Sequence, residues 1–246
     1  AERKRPMRIE KILSMLTDLL YPRRCPVCNE IVVPKGNLIC PDCVRKLSFV
    51  KEPSCKKCGK EITDRFRELC WDCAKHRRSF VAGKALLNYN DTAKASMAKI
   101  KYGNKREYMD FYSEALCLRY GKLIERIGPD VLVPVPVHPS RKRQRGFNQA
   151  QILADKIGRK LEIPVKELIK RDRKTKPQKE LNPAQRLKNL EAAFQAQSVP
   201  LDVKTILLID DIYTTGSTIE ACTRALLKEK ADLKVYFLAV CIGRGS

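Results

Sequence analysis

The sequence has no run of eighteen or more consecutive apolar residues, so it offers nothing built to cross a membrane as a helix. No secretory signal is expected either, because Ile9, Ile12, Leu13, Leu16, Leu19 and Leu20 are interrupted by charge. Their spacing instead predicts a short amphipathic helix ending at Tyr21-Pro22, packed on its own protein, with a membrane-surface or partner-binding helix as the alternative. The expected compartment is the cytoplasm. Negative charge is scarce: 28 Asp and Glu stand against 50 Lys and Arg, a formal net charge of +22 over 246 residues. That imbalance points to a polyanion, whether nucleic acid, a phosphorylated small molecule or an anionic membrane surface, and does not choose among them. With 43% hydrophobic residues the chain has enough apolar material for a buried core, which excludes general disorder.

Cysteine is plentiful and unevenly placed. Eight of the eleven form four Cys-x-x-Cys pairs near the start: Cys25/Cys28, Cys40/Cys43, Cys55/Cys58 and Cys70/Cys73. A two-residue gap lets both sulfurs turn to one ion, and two such knuckles complete the closed tetrahedral shell of a structural zinc. The second half repeats the spacing of the first, so the unit is duplicated. Two sequential zinc sites are expected, Cys25 to Cys43 and Cys55 to Cys73, with cross-braced pairing as the alternative because spacing alone does not dictate partners. A disulfide framework or a redox pair suits a secreted or thioredoxin-like chain better than this one. Four thiolates leave zinc no open position, so zinc here is scaffold rather than catalyst. Lys56, Lys57, Arg65, Arg67, Lys75, Arg77 and Arg78, interleaved with Phe66 and Trp71, form either a solvated basic face or a surface for single-stranded nucleic acid or a protein partner. Cys117, Cys222 and Cys241 lie among apolar residues and read as core.

The most informative stretch is TILLIDDIYTTGST, Thr205 to Thr218. Ile206 to Ile209 reads as a parallel strand covered on both faces, and Thr218 to Lys230 alternates with helical spacing. Between them lie two acids and a hydroxyl-rich turn. Backbone N–H groups from Thr214 to Thr218 fall at a helix N-terminus, where unpaired donors and the helix dipole favour a phosphate, and Gly216 allows close approach. Asp210 and Asp211 would be repelled by that phosphate unless they face sugar hydroxyls or a magnesium ion. A phosphorylated sugar satisfies both halves.

This run resembles the phosphoribosyl pyrophosphate-binding motif of type I phosphoribosyltransferases. A second buried strand, Val131 to Val137, leads into His138-Pro139-Ser140-Arg141-Lys142-Arg143-Gln144-Arg145-Gly146-Phe147-Asn148-Gln149 and then a helix to about Lys160. That string narrows the resemblance to the competence protein F family, also called ComF or GntX-like. Lys101-Tyr102 after a strand over Val81 to Tyr89 and a helix, and the segment from Arg171 to Phe194 with Thr175, Gln178, Leu181, Arg186 and Asn189, resemble further elements of that family.

The resemblance implies an α/β fold of the type I phosphoribosyltransferase kind, a Rossmann-like mainly parallel sheet. The expected organisation is an N-terminal segment and amphipathic helix over 1–24, a double zinc ribbon over 25–79 and the transferase-like domain over 80–246. Asp210 and Asp211 would be the catalytic acids, holding the ribose hydroxyls and stabilising a cationic sugar. Tyr213, Thr214, Thr215, Gly216, Ser217 and Thr218 would bind the ribose phosphate, with His138, Arg141, Arg143 and Arg145 in the loop that cradles diphosphate. The basic segment that includes Lys170, Arg171, Arg173, Lys174, Lys176 and Lys179 would close as a hood over the site. Two structural zinc ions and magnesium carried with phosphoribosyl pyrophosphate are the implied cofactors. Single-stranded DNA and a competence DNA-translocating helicase are the implied macromolecular partners. One element is missing: purine-salvage relatives of the fold place a carboxylate general base where this chain has Thr214, and a hydroxyl cannot replace it near neutral pH. An adaptor that binds DNA, or recruits the helicase, with a regulatory or vestigial pocket is therefore the competing expectation.

Overall fold

Strands with continuous apolar runs need cover on both faces, and the computed structural model supplies it. It describes residues 22–171 and 193–243. The expected amphipathic helix and the hood positions Thr175, Gln178, Leu181, Arg186 and Asn189 lie outside the described residues.

Four parallel strands form the central sheet: β1 (Gly83–Asn88), β2 (Val131–Pro134), β5 (Thr205–Tyr213) and β6 (Lys234–Ile242), in the order β1-β6-β5-β2. In β5 and β6 successive side chains alternate between faces. Leu207 and Ile209 of β5, with Leu238 and Val240 of β6, join one apolar cluster, and Ile206 and Leu208, with Val235 and Phe237, join the other. The first cluster includes Met97 and Ile100 of α3 (Asp91–Gly103), Tyr112 and Leu116 of α4 (Tyr108–Ile127), and Leu153 and Ile157 of α6 (Gln149–Leu161). The second is covered by Ile219, Cys222 and Leu226 of α7 (Ser217–Glu229). Burying such side chains stabilises the fold by about 1.5–3 kcal/mol each. Cys117, Cys222 and Cys241 are buried as expected. A short antiparallel pair, β3 (Ile169–Arg171) with β4 (Phe194–Ala196), packs on α7. Among the described residues, no helix is long and apolar enough to cross a membrane.

The two cysteine units fold alike because their local hydrogen bonds repeat. Cys25 N–H donates to the Glu30 carbonyl at 2.8 Å, and Cys55 N–H to that of Lys60 at 2.7 Å. The tight reversal requires a left-handed residue, which is Asn29 (φ 69°) in the first unit and Gly59 (φ 78°) in the second. The third cysteine of each unit then caps a short helix, Cys40 on α1 (Pro41–Val44) and Cys70 on α2 (Trp71–Lys75). The chain leaving the first ribbon extends the sheet at its edge, where Phe49 bridges antiparallel to Leu87 of β1.

Candidate functional site

β5 carries the two halves of the site on one strand. It ends at Tyr213, the backbone turns through Thr214, Thr215 and Gly216, and α7 begins at Ser217. Gly216 adopts φ +78°, and a Cβ there would meet Tyr213 Oη at 2.2 Å, so only glycine fits. Tyr213 itself points away from the turn's open side. Its buried ring stacks on Phe237 at 4.7 Å, with Phe80 edge-on to both, so it supports the turn from beneath. Thr214 and Thr215 are exposed, Ser217 and Thr218 half-buried, and Thr215 Oγ1 lies 2.9 Å from Ser217 Oγ. On its outer side the turn is held by Arg78, whose Nη2 donates to the Thr215 carbonyl at 2.8 Å. The next residue, Ser79, donates through its backbone N–H and its hydroxyl to the buried Glu220 carboxylate of α7, at 2.9 and 2.7 Å.

Asp210 and Asp211 stand in the last part of β5. The Asp210 carboxylate is buried and accepts the Asp211 N–H at 2.8 Å. Burial, and then the charge of Asp211, push the Asp210 carboxyl well above the usual carboxylate range. Lys101, near the end of α3, forms an ion pair with Asp211. Both acids open into a cleft of about 260 Å³ at the carboxyl ends of β2 and β5, which Thr214 and Thr218 also line. Crevices at strand ends are where open α/β sheets bind ligands. A larger depression, about 380 Å³, lies on the second ribbon beside Leu69 and Trp71.

The wall facing the acids is basic, and here the structure departs from the expected diphosphate loop. Residues Pro139–Arg145 are a helix, α5, because Pro139 suits its first turn and His138 caps it, Nδ1 accepting from Ser140 N–H at 3.1 Å. Four residues make about one turn, so Arg141 and Arg145 share a face and both line the cleft. Arg143 points elsewhere, into a separate depression with Lys142, Pro139 and Asn148. His138 does not line the cleft; it serves as the helix cap. Arg171, at the end of β3, joins Arg141 and Arg145 in the wall, and burial followed by the charge of Arg141 lowers its pKa. Lys101, Gln149 and Tyr89 complete the lining. The Lys101-Tyr102 element was a signal for the first. Gln149 closes the string that carries the resemblance and Arg171 belongs to the expected hood, whereas Tyr89 reaches the cleft through tertiary contacts that no local motif announces.

The cysteines assemble as two sequential sets rather than cross-braced ones. In Cys25/Cys28/Cys40/Cys43, and again in Cys55/Cys58/Cys70/Cys73, the four sulfurs lie within 4.8 Å of one another. Cys28 and Cys40 Sγ are 3.9 Å apart, and Cys58 and Cys70 Sγ 3.6 Å. A tetrahedral shell with Zn–S bonds of about 2.3 Å separates its sulfurs by about 3.8 Å, so both sets fit zinc and neither is a disulfide.

Comparison with known proteins follows the same division. Residues 16–74 match the family described as "Double zinc ribbon domain", and residues 126–245 the "Phosphoribosyl transferase domain". The chain is 26% identical over 232 residues to competence protein ComFC of Bacillus subtilis, covering 90% of this chain and 91% of the relative. It is 30% identical over 209 residues to competence protein ComFC of Streptococcus pneumoniae, covering 81% and 86%. The DNA utilization protein YhgH of Escherichia coli K12 is 27% identical over 217 residues, covering 87% and 94%.

Proposed function

Because this chain belongs to the ComF family of competence proteins, we propose that its α/β domain binds magnesium phosphoribosyl pyrophosphate and that the protein handles single-stranded DNA entering the cytoplasm. One observation carries the reading: an acid pair and an anion-binding turn occupy the end of one strand, opposite an arginine wall, in one cleft. Each part takes the portion of the ligand its chemistry suits. The amides and hydroxyls from Thr214 to Thr218 take the ribose 5-phosphate. Asp210 and Asp211 take the ribose hydroxyls and counter positive charge developing on the sugar. Arg141 and Arg145 neutralise the diphosphate, with Arg171 beside them.

Magnesium would arrive with the ligand and neutralise diphosphate charge. Its hard oxygen donors in this cleft are Asp210 and Asp211. Lys101 now answers the charge of Asp211, and in the complex it would turn to the ligand's phosphates. The zinc ribbons and the helicase-facing role stay on the structural side of this division. Their exposed Phe66 and Trp71, with Arg67 stacked over the Trp71 ring at 4.5 Å, suit a single strand or a protein partner.

A second reading, a DNA-binding adaptor with a regulatory pocket, is favoured by one residue. Thr214 occupies the place where a transferase of this type would need a carboxylate base, and no other carboxylates than Asp210 and Asp211 line the described cleft. Calorimetry with ribose 5-phosphate and phosphoribosyl pyrophosphate, with magnesium, tests binding. The Asp210→Ala, Asp211→Ala double variant should abolish it and keep both zinc ions, whereas unaltered affinity sinks the assignment. Diphosphate release on adding nucleobase or oligonucleotide acceptors separates enzyme from adaptor. DNA affinity should fall steeply between low and moderate salt.

A further inference from the structure

Gln149 opens α6 and lines the cleft, yet its side chain is 1% exposed and neither its amide oxygen nor its amide nitrogen has a hydrogen-bond partner. Leaving both atoms of a buried carboxamide unmet is costly, and native structures keep such groups where something else will meet them. Capping the helix does not account for it. Asn148 does that work, accepting from Ala150 N–H at 3.1 Å while its Nδ2 donates to the Val135 carbonyl at 3.0 Å.

The partner must both donate and accept. Phosphate oxygens only accept, and the surrounding Arg141, Arg145, Arg171 and Lys101 already face them with donors. An amide oxygen among those cations would find no hydrogen in a diphosphate. Hydroxyl groups meet the requirement. A ribose hydroxyl that gives its hydrogen to Asp210 or Asp211 still accepts from Gln149 Nε2, and its neighbour on the ring can donate to Gln149 Oε1. We infer that Gln149 is a specificity residue of the cleft, reading the adjacent 2- and 3-hydroxyls and so selecting ribose over 2-deoxyribose. The inference rests on the sugar-phosphate reading of the cleft. Such selection has a use in a protein that meets DNA, because it keeps deoxyribose phosphate ends out of the site.

The test is calorimetry of the full zinc-loaded chain with ribose 5-phosphate, 2-deoxyribose 5-phosphate and inorganic diphosphate, for wild type and Gln149→Leu. Wild type should prefer ribose 5-phosphate by about tenfold. The variant should lose roughly that factor for ribose 5-phosphate and less for 2-deoxyribose 5-phosphate, which keeps the 3-hydroxyl, narrowing the preference and leaving diphosphate affinity unchanged. It should also melt at a higher temperature, because an apolar side chain of similar size replaces an unmet amide. An equal loss for both sugars, a loss for diphosphate, an undiminished preference or a lower melting temperature overturns the inference. Should Gln149→Leu fail to fold, Gln149→Met carries the same expectations. Wild type that binds neither sugar phosphate overturns the reading of the cleft, and this inference with it, whereas binding without preference overturns this inference only.

Discussion

The two zinc ribbons share spacing and knuckle geometry but hold different parts of the molecule. The first packs with α3 and α4 on the sheet face opposite α7, where Tyr108 donates to Asn29 Oδ1 at 2.5 Å, Lys99 to the Val27 carbonyl at 3.0 Å and Arg23 to Asp110 at 2.7 Å. The second packs on the opposite face. Cys55, Cys58 and Cys73 join the cluster of Phe80, Tyr213, Phe237 and Ile219, and the chain leaving it fastens the turn through Arg78 and Ser79. Duplication thus produced two metal units of one design, of which the second braces the turn of residues 214–216. What a metal site does for a protein depends on what its shell is packed against as much as on its ligands.

The sharpest way to break that contrast is to remove one zinc at a time. Cys58→Ser should lose one of two zinc ions by metal analysis and weaken sugar-phosphate binding by at least about tenfold, since structural zinc supplies folding energy locally. Cys28→Ser should lose the other zinc and leave that affinity within about twofold. Equal effects on binding would dissolve the distinction. Within the cleft, Asp210→Asn should abolish sugar-phosphate binding yet stabilise the free protein at neutral pH by on the order of 1 kcal/mol. The sign follows from Asp210's raised pKa. The folded chain binds the proton more tightly than the unfolded chain, so wild-type stability is lost as pH rises from the ordinary carboxylate range through Asp210's own titration. Melting temperatures across that range should fall for wild type and stay flatter for the variant.

Smaller effects refine the comparison. Arg78→Ala removes a cationic donor from the Thr215 carbonyl and should weaken sugar-phosphate binding by about 1.5 kcal/mol, with zinc content unchanged. Arg23→Ala, the counterpart on the first ribbon, should cost roughly 0.5 kcal/mol of stability and nothing in ligand affinity, measured by denaturant unfolding and calorimetry. A binding defect in Arg23→Ala would show that the first ribbon also reaches the site.

Features encoded within a few residues were legible in the sequence. The duplicated cysteine spacing favoured the two sequential sets that the fold assembles, and residues 205–218 foretold a strand, a tight turn and a helix. What escaped depended on helical phase or on distant partners. Arg141, Arg143 and Arg145 read as one basic loop, but a proline after a capping histidine starts a helix, and helical phase turns Arg143 away from the other two. Tyr213 read as a phosphate contact because it sits in the motif, whereas its ring is claimed by Phe80 and Phe237, far away in the chain. Gln149 closes the string that carries the family resemblance, but its place in the cleft shows only once its unmet amide and its surroundings are known. Arg78 read as part of a basic zinc-module face, and only the fold brings it to Thr215.

The order of strands in the sheet bears on how the protein is made. In the described sheet β6 is β1's one parallel neighbour, its other edge being held by the Phe49–Leu87 bridge, so a ribosome must emit β2 and β5 before β1 is paired on both sides. Contacts so remote along the chain form slowly. During that wait the second ribbon, whose apolar partners include Ile219 and Phe237, has metal ligation as its chief means of staying folded, so zinc supply during translation should govern the yield of correctly assembled protein.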